Sequence, residues 1–434
     1  MNYKQIIYVA LTSVLIIAFI SFSLIYSPGE NSSNSGSMIT TIHYVSHISD
    51  AHQKVIDNFN KKYEGRINIE SINLPFEKFS TNERKELLAR YLRSKSDRID
   101  VFTVDQIWVP RFTKWGLNLD KYFIEDEREQ ILSYGLQTCI YENSLVALPL
   151  YIDVSVMYYR EDLLNRLSNY AIVKQKIENS ISWNDLINLD NELIRKSNSL
   201  FVFPADDYEG LMCMFVELMG SQGKSLIDGK KLQLSTAEAR LSLQLMVDLV
   251  NKYKVVPKEV INFRENESYQ EFLTNNGFFL RGWPALLIDH YKFAQENNLV
   301  DKIKMAPTPH FKHGKPVSVF GGWNLMISKF SPHIDESLIF IKYLLSEEAQ
   351  NILHQEGGYL PSNKLLYENE PNEELLRYQQ IMSSGIHRPF LENYTKISDI
   401  IALYVNKAIN QEMSVDEALS EAENKITNEK IEIK

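Results

Sequence analysis

In the run "LPLYIDVSVMYYR", Leu148 to Arg160, an aromatic ring and a carboxylate stand two residues apart. On an extended chain that spacing sends Tyr151 and Asp153 to the same face. A core would place two apolar groups there. A ring beside a carboxylate instead suits a sugar, whose C–H faces pack on aromatics while its hydroxyls donate to carboxylates. Three later stretches add to the set: "RGWPAL" places Trp283 before a proline, "FGGWN" places Trp323 after Gly321 and Gly322, and "RPFL" places Arg388 before a proline that restrains its backbone. These side chains are expected at the ends of elements, beside glycine or proline breaks, where they would line a cleft. Asp105 closes "IDVFTVD" and would lie beyond the carboxyl end of a strand, where open parallel sheets hold ligands. Its plainer reading is the N-cap of the segment that follows. Asp105 and Asp153 could also flank a bond as the acid/base pair of a glycoside hydrolase, although no local device for raising one carboxyl pKa is visible.

Other chemistries find no residues to carry them. His43, His47 and His52 cross a change from strand to helix, so they do not share one helical face as metal ligands would. No nucleophile elbow, phosphate-binding glycine loop or zinc-protease motif occurs. Cys139 and Cys213 are the two cysteines, expected as free buried thiols. A net charge of −10 with no lysine/arginine block argues against a nucleic-acid partner.

A chain of 434 residues is too long for one core, so two lobes are expected. From Met38 strands alternate with helices, which argues for a parallel, doubly wound α/β arrangement. "MITTIHYVS" reads as a buried strand; "DAHQKVIDNFNKKYEG" puts Val55, Ile56, Phe59 and Tyr63 on one helical face, with Gly65 as its stop. Ser80 with Glu83, and Ser235 with Glu238, are capping-box patterns, and Ser182 is a single cap. "DYEGLMCMFVELMG" is apolar nearly all round and therefore a buried helix. "SPHIDESLIFIKYLLSEEAQNILHQEGG" reads as one long amphipathic helix stopped by glycines, and a last helix has apolar positions at 415, 418, 419, 422 and 426.

Ahead of all this, Ile6 to Tyr26 is uncharged and about long enough to cross a bilayer, and a polar spacer, "SPGENSSNSGS", follows it. Two readings compete: an uncleaved anchor, which the length of the run favours, and a signal peptide cut near "SFS". Either exports the chain from about Ser37 onward. No cysteine near the end of the run offers a lipid attachment point.

Eight stretches in order, "VIDNFNKKY", "DVFTVDQIW" with "KWGLNLDKYF", "ALPLYIDVSVMYYREDLL", "SWNDLI", "GWP", "GGWNLMISK", "IKYLLSEEAQ" and "GYLPSN", span nearly the whole exported part. Through them the sequence resembles the bacterial extracellular solute-binding proteins of sugar ABC importers, family 1, the maltose/trehalose/multiple-sugar group. The resemblance implies two doubly wound α/β lobes joined by a multi-crossing hinge, a periplasmic-binding-protein-like fold of type II. Lobe I would comprise 38–149 with 290–327, and lobe II 150–289 with 328–434, after an anchor and spacer at 1–37. By motif, Asp105, Tyr151, Asp153, Trp283, Gly322, Trp323 and Arg388 fall where such proteins line their cleft, and Asp50 matches an acidic residue at the first strand-to-helix turn more loosely. It further implies a carbohydrate ligand, ABC permease membrane subunits as partners, no cofactor, no catalysis and a monomer. A sugar-sensing subunit of a membrane signalling system is the alternative partner relationship.

The anchor reading has a direct check. Membrane fractions of cells making the full chain are expected to hold it at uncut mass; a mature N-terminus near Leu24 in the soluble fraction would establish a cleaved signal instead.

Overall fold

A computed structural model describes residues 39–75, 81–94, 99–193, 199–284, 290–369 and 372–433. The expected membrane segment, the spacer and Ser80 lie outside the described residues. Among the described residues no helix is long and apolar enough to cross a membrane.

The strands that matter are β1 (Thr40–Ser46), β2 (Ile67–Asn73), β3 (Val101–Asp105), β4 (Leu148–Val154), β5 (Val156–Arg160), β6 (Phe201–Val202), β7 (Phe279–Gly282), β8 (Ile303–Ala306), β9 (Ser318–Ile327), β10 (Leu360–Pro361) and β11 (Gly385–Ile386). They form two sheets. The first runs β10-β4-β9-β3-β1-β2, with β11 pairing β9; the second runs β8-β5-β7-β6. β1, β2 and β3 are parallel, as the strand–helix alternation requires. β9 is antiparallel to both β3 and β4, and β5 is antiparallel to β7 and β8, so both sheets are mixed rather than doubly wound and purely parallel. β5 enters the second sheet from β4 of the first across Ser155 alone, and β9 enters the first from β8 of the second with no helix between, so neither is placed by the strand–helix–strand crossover that imposes parallel pairing.

Pairing also departs from the expected lobe segments at four strands. Residues 150–154 of β4, inside 150–289, belong to the first sheet. β8, inside 290–327, pairs with β5 in the second sheet. β10 and β11, inside 328–434, join the first. Strand pairing, a long-range property, decides membership there.

The chain passes between the sheets at Ser155 and again between β8 and β9. The two passages are stitched together: Ser155 N–H donates to the Val319 carbonyl at 3.0 Å, and Val319 N–H donates to Ser155 Oγ at 2.9 Å. Every residue of β9 is buried.

The helices used below are α1 (Asp50–Lys62), α2 (Thr81–Arg93), α3 (Glu209–Ser221), α4 (Ala237–Asn251), α5 (Ile334–Leu344), α6 (Glu347–Gly357), α7 (Tyr394–Ile409) and α8 (Val415–Asn428). Val55, Ile56 and Phe59 of α1 are buried; Tyr63 falls just past its end and stacks on Phe59, centroids 4.5 Å apart. α3 is buried along nearly its whole length, and α8 buries the five expected positions. The cap of α4 is Thr236, not Ser235: its hydroxyl accepts from Ala239 N–H. The expected long helix is two, α5 and α6, because Ser346 caps a new start by accepting from Ala349 N–H. Gly358, with φ 67°, ends α6. Both cysteines are free and buried.

Gly322 is the tightest point of the crossing. Its φ is 125°, and a Cβ there would stand 2.5 Å from the Tyr151 carbonyl oxygen. Gly65 also has positive φ, 76°, but nothing lies within 4 Å of its missing Cβ. Gly65→Ala is therefore expected to cost about 1–2 kcal/mol, the left-handed backbone alone. Gly322→Ala is expected to cost about 3 kcal/mol or more, since conformational strain and overpacking add. Urea unfolding midpoints compare the two directly; equal shifts would mean that β9 relaxes freely around the added methyl.

Candidate functional site

Register assembles the site. In the first sheet Trp323 of β9 lies opposite Asp105 of β3 on one side and Tyr151 of β4 on the other. Gly322 pairs with Ile152 and Gly321 with Asp153. The three functional side chains thus form a row across neighbouring strands, at the edge where β3 ends and β4 leaves for the second sheet.

Trp323 and Tyr151 do not sit at the ends of their strands, as expected, but inside them. The glycines permit this: Gly322 takes a backbone conformation closed to other residues, and the register slips between Trp323 and Asn324, a bulge that re-aims side chains. Both rings are buried, Trp323 at 9% exposure and Tyr151 at 5%. Trp323 meets Trp108 edge-on at 5.3 Å, and the Arg84 guanidinium lies 4.3 Å from its ring centroid. The Tyr151 ring is 4.5 Å from Tyr359, and burial holds its phenol well above the usual range.

Trp283 follows β7 directly and is half-buried. Its N–H donates to Tyr269 Oη at 3.1 Å, and its carbonyl accepts from Tyr158 Oη at 2.9 Å. The Arg281 guanidinium covers one ring face at 4.3 Å and is held by a buried ion pair with Glu217 at 2.6 Å. A Cβ at Gly321 would lie 3.0 Å from the Trp283 ring and 3.1 Å from Asp153 Cβ. Gly321 is therefore the contact point between Trp283, beside the second sheet, and Asp153, on the first.

Asp105 does both things its position allows. Its Oδ1 accepts from Ile107 N–H at 3.1 Å, the N-cap role, and from Arg388 Nη2 at 3.1 Å. Arg388 Nη1 donates to Glu209 Oε1 at 2.8 Å, and Tyr394 Oη donates to the same oxygen at 3.1 Å. Arg388 is thus a buried strut between the end of β3 and the start of α3, with its side chain 3% exposed. Glu209 was not legible as a site residue: nothing in "DYEGL" signals an ion pair formed 179 residues away. Asp50 is exposed in the first turn of α1, and no hydrogen bond or ion pair joins it to the other seven residues. Arg84 and Tyr359, which pack on the aromatic row, also escaped the sequence reading, although Tyr359 lay inside a quoted motif; His52, which packs beside Tyr359, was weighed there only as a metal ligand.

Among the described residues no group of three or more His, Cys, Asp or Glu could hold a metal ion. A cavity of about 90 Å³ borders Gln106, His387 and Arg388 at the base of the crossing. The larger depression, about 480 Å³, shares no residue with the site; it lies along Ile172, Lys176 and His310.

Comparison with known proteins places this geometry. The family model for bacterial extracellular solute-binding proteins matches residues 46–351. A curated Deinococcus radiodurans protein named "Probable ABC transporter-binding protein" is 25% identical over 361 residues, 80% of this chain and 83% of that one. The structure of maltose-bound MalE3 of T. maritima superposes with a TM-score of 0.80 at 25% identity, covering 89% of this chain and 99% of that one. The GacH receptor of Streptomyces glaucescens, solved unliganded and with acarbose, gives 0.75 at 20% identity over 90% and 98% of the two chains.

The buried strut yields a stability prediction. Arg388→Met leaves Asp105 and Glu209 uncompensated and should cost about 3–5 kcal/mol, part of which Glu209→Gln in the same chain should restore. Burial holds the Glu209 carboxyl above its usual 4.5, an effect the Arg388 charge only partly offsets. The folded state then keeps a proton that the unfolded chain releases. That contribution is fully present below about 4.5 and is lost as pH rises through the folded pKa. Removing Arg388 raises the carboxyl further, so the loss should be smaller at pH 4.5 than at pH 7 in urea titrations. A loss equal at both pH values would remove Glu209 from the account.

Proposed function

The chain belongs to the bacterial extracellular solute-binding proteins, and from that premise we propose that it captures a carbohydrate, a disaccharide or oligosaccharide, and delivers it to the membrane subunits of an ABC importer. It is a binding protein and not an enzyme, and its place is outside the cytoplasm. The observation that carries the sugar reading is the row of Asp105, Trp323 and Tyr151 across three strands, with Asp153 and Trp283 meeting over Gly321. Two indoles, each with a guanidinium on one face, offer flat apolar surface to sugar C–H groups, and Asp153 offers an acceptor to hydroxyls. The likeness to a maltose-bound protein supports the same ligand class.

In this reading Asp50 stands at the rim, and Gly322 brings the backbone up to the ligand. Arg388 and Asp105 together form the charged floor of the cleft. The two sheets lie in two lobes that rotate about the paired passages at Ser155 and Val319. Ligand touching both lobes shifts the population toward the closed form. The segment Ile6–Tyr26 anchors the protein, as a monomer, to the outer face of the cell membrane.

A panel of neutral sugars tested on the purified chain decides the ligand class. At micromolar affinity binding contributes about 8 kcal/mol at the standard state, so saturating ligand should raise the melting temperature and change tryptophan fluorescence. Asp153→Asn should weaken binding by about tenfold to a hundredfold, the worth of a charge-assisted hydrogen bond. A melting curve moved by peptides or polyamines and by no sugar would refute the sugar assignment.

A further inference from the structure

Beneath the aromatic row the structure holds a polar group that none of the packing accounts for. His52 lies in the first turn of α1, just past the carboxyl end of β1, and is 3% exposed. β1 and β3 are parallel neighbours, with Ser46 Oγ 2.8 Å from Thr103 Oγ1, so His52 and Asp105 follow strands that end at the same edge. The imidazole meets Tyr359 edge-on at 4.8 Å, and its centroid is 6.3 Å from that of Tyr151. His52 thus continues the row of Asp105, Trp323 and Tyr151 by one more side chain.

Its Nδ1 lies 2.8 Å from Ser49 Oγ, which also accepts from the His52 backbone N–H. In the tautomer in which the Ser49 hydroxyl donates, Nδ1 is the acceptor and Nε2 carries the hydrogen. Burial, reinforced by the neighbouring His47, pushes the ring's pKa down to about 3, so it is neutral at any ordinary pH. Nε2 has no hydrogen-bond partner and is buried among rings. Buried donors are almost always paired, and an orphan beside a binding site calls for a ligand atom.

We propose that His52 is a ligand-contacting residue of this site, its Nε2–H donating to a hydroxyl or ring oxygen of a neutral sugar unit seated against Tyr151. This deepens the sugar reading above and rests on it. A neutral imidazole with its hydrogen on Nε2 donates to an oxygen acceptor and requires no charge on the ligand. The turn therefore contributes through a buried imidazole, with the exposed Asp50 only at its rim.

The test uses the purified full chain with maltose, maltotriose and trehalose as probes, read by calorimetry and thermal shift. His52→Phe keeps a planar ring and deletes the donor; His52→Gln returns an amide N–H close to the place of Nε2. Loss of one neutral hydrogen bond should weaken binding of the responsive sugar roughly tenfold in His52→Phe, while His52→Gln stays within about threefold of wild type. Ligand-free His52→Phe and His52→Gln both give up the contact of Nδ1 with Ser49 Oγ, so their melting temperatures should fall alike. Unchanged affinity in His52→Phe, with wild type still stabilised by sugar, overturns this inference and leaves the sugar reading intact. So does a larger ligand-free loss in His52→Phe than in His52→Gln, which would assign the donor to the Tyr359 ring face or a buried water. Should His52→Phe not fold, selectively ¹⁵N-labelled histidine in the wild type answers the question: the Nε2 resonance must move on saturation with the responsive sugar, and a stationary signal overturns the proposal. A wild type that responds to none of the sugars defeats the sugar reading, and this inference with it.

Discussion

β9 lies where it does because Gly322 has no side chain. A carbonyl oxygen of the neighbouring strand occupies the place a Cβ would need, and the backbone there takes a φ that other residues rarely adopt. From this one close approach the remaining geometry follows. The strand stays paired with β4 through the glycine, which keeps Trp323 opposite Tyr151, and slips register only after Trp323, so that Asn324 pairs with Pro149. Asn324 is buried and donates to Thr138 Oγ1 at 2.9 Å, which fixes the strand beyond the slip. A side chain at 322 would push the strands apart where aromatic row and sheet-to-sheet passage coincide.

Charge is buried around this crossing in an unusual amount, and packing alone does not call for it. Arg281 with Glu217, and Arg388 with Asp105 and Glu209, are taken almost wholly out of water. Such pairs return little net stability, because desolvation consumes most of the attraction. What they do supply is orientation. Glu217 holds Arg281, and Arg281 lies on Trp283, so the ring that faces Gly321 is set by an ion pair on its far side. Arg388 ties the end of β3 to the start of α3, two elements far apart in sequence, and fixes Asp105 relative to the C-terminal helices through Tyr394.

Local pattern in the sequence identified much of this. Period-3.6 apolar spacing marked α1 and α8, apolar residues nearly all round marked α3, and Tyr151 and Asp153 both fall within β4. Glycines at 321 and 322 signalled a close approach. What escaped the reading was decided at a distance. The break between α5 and α6 was signalled by Ser346 followed by Glu347 and Glu348, yet the unbroken apolar spacing across it concealed the cap. Trp323 was expected at an element's end because glycine usually marks one; here the glycines keep a strand continuous through a strained point. Mixed pairing, the Arg388 strut and the arginines on both indoles depend on partners that no local window contains.

The pairing of charge around Asp105 bears on the hydrolase alternative. A glycoside hydrolase needs one carboxyl held protonated beside the leaving oxygen and a second carboxylate free to attack or to activate water. Burial raises the proton affinity of both Asp207 and Glu209, and Glu209 is held by Arg388 and Tyr394. Asp105, nearer the row, is neutralised by the same arginine and by a backbone N–H. With Glu209 and Asp105 both tied to Arg388, neither stands as a lone acid, in keeping with a family of binding proteins.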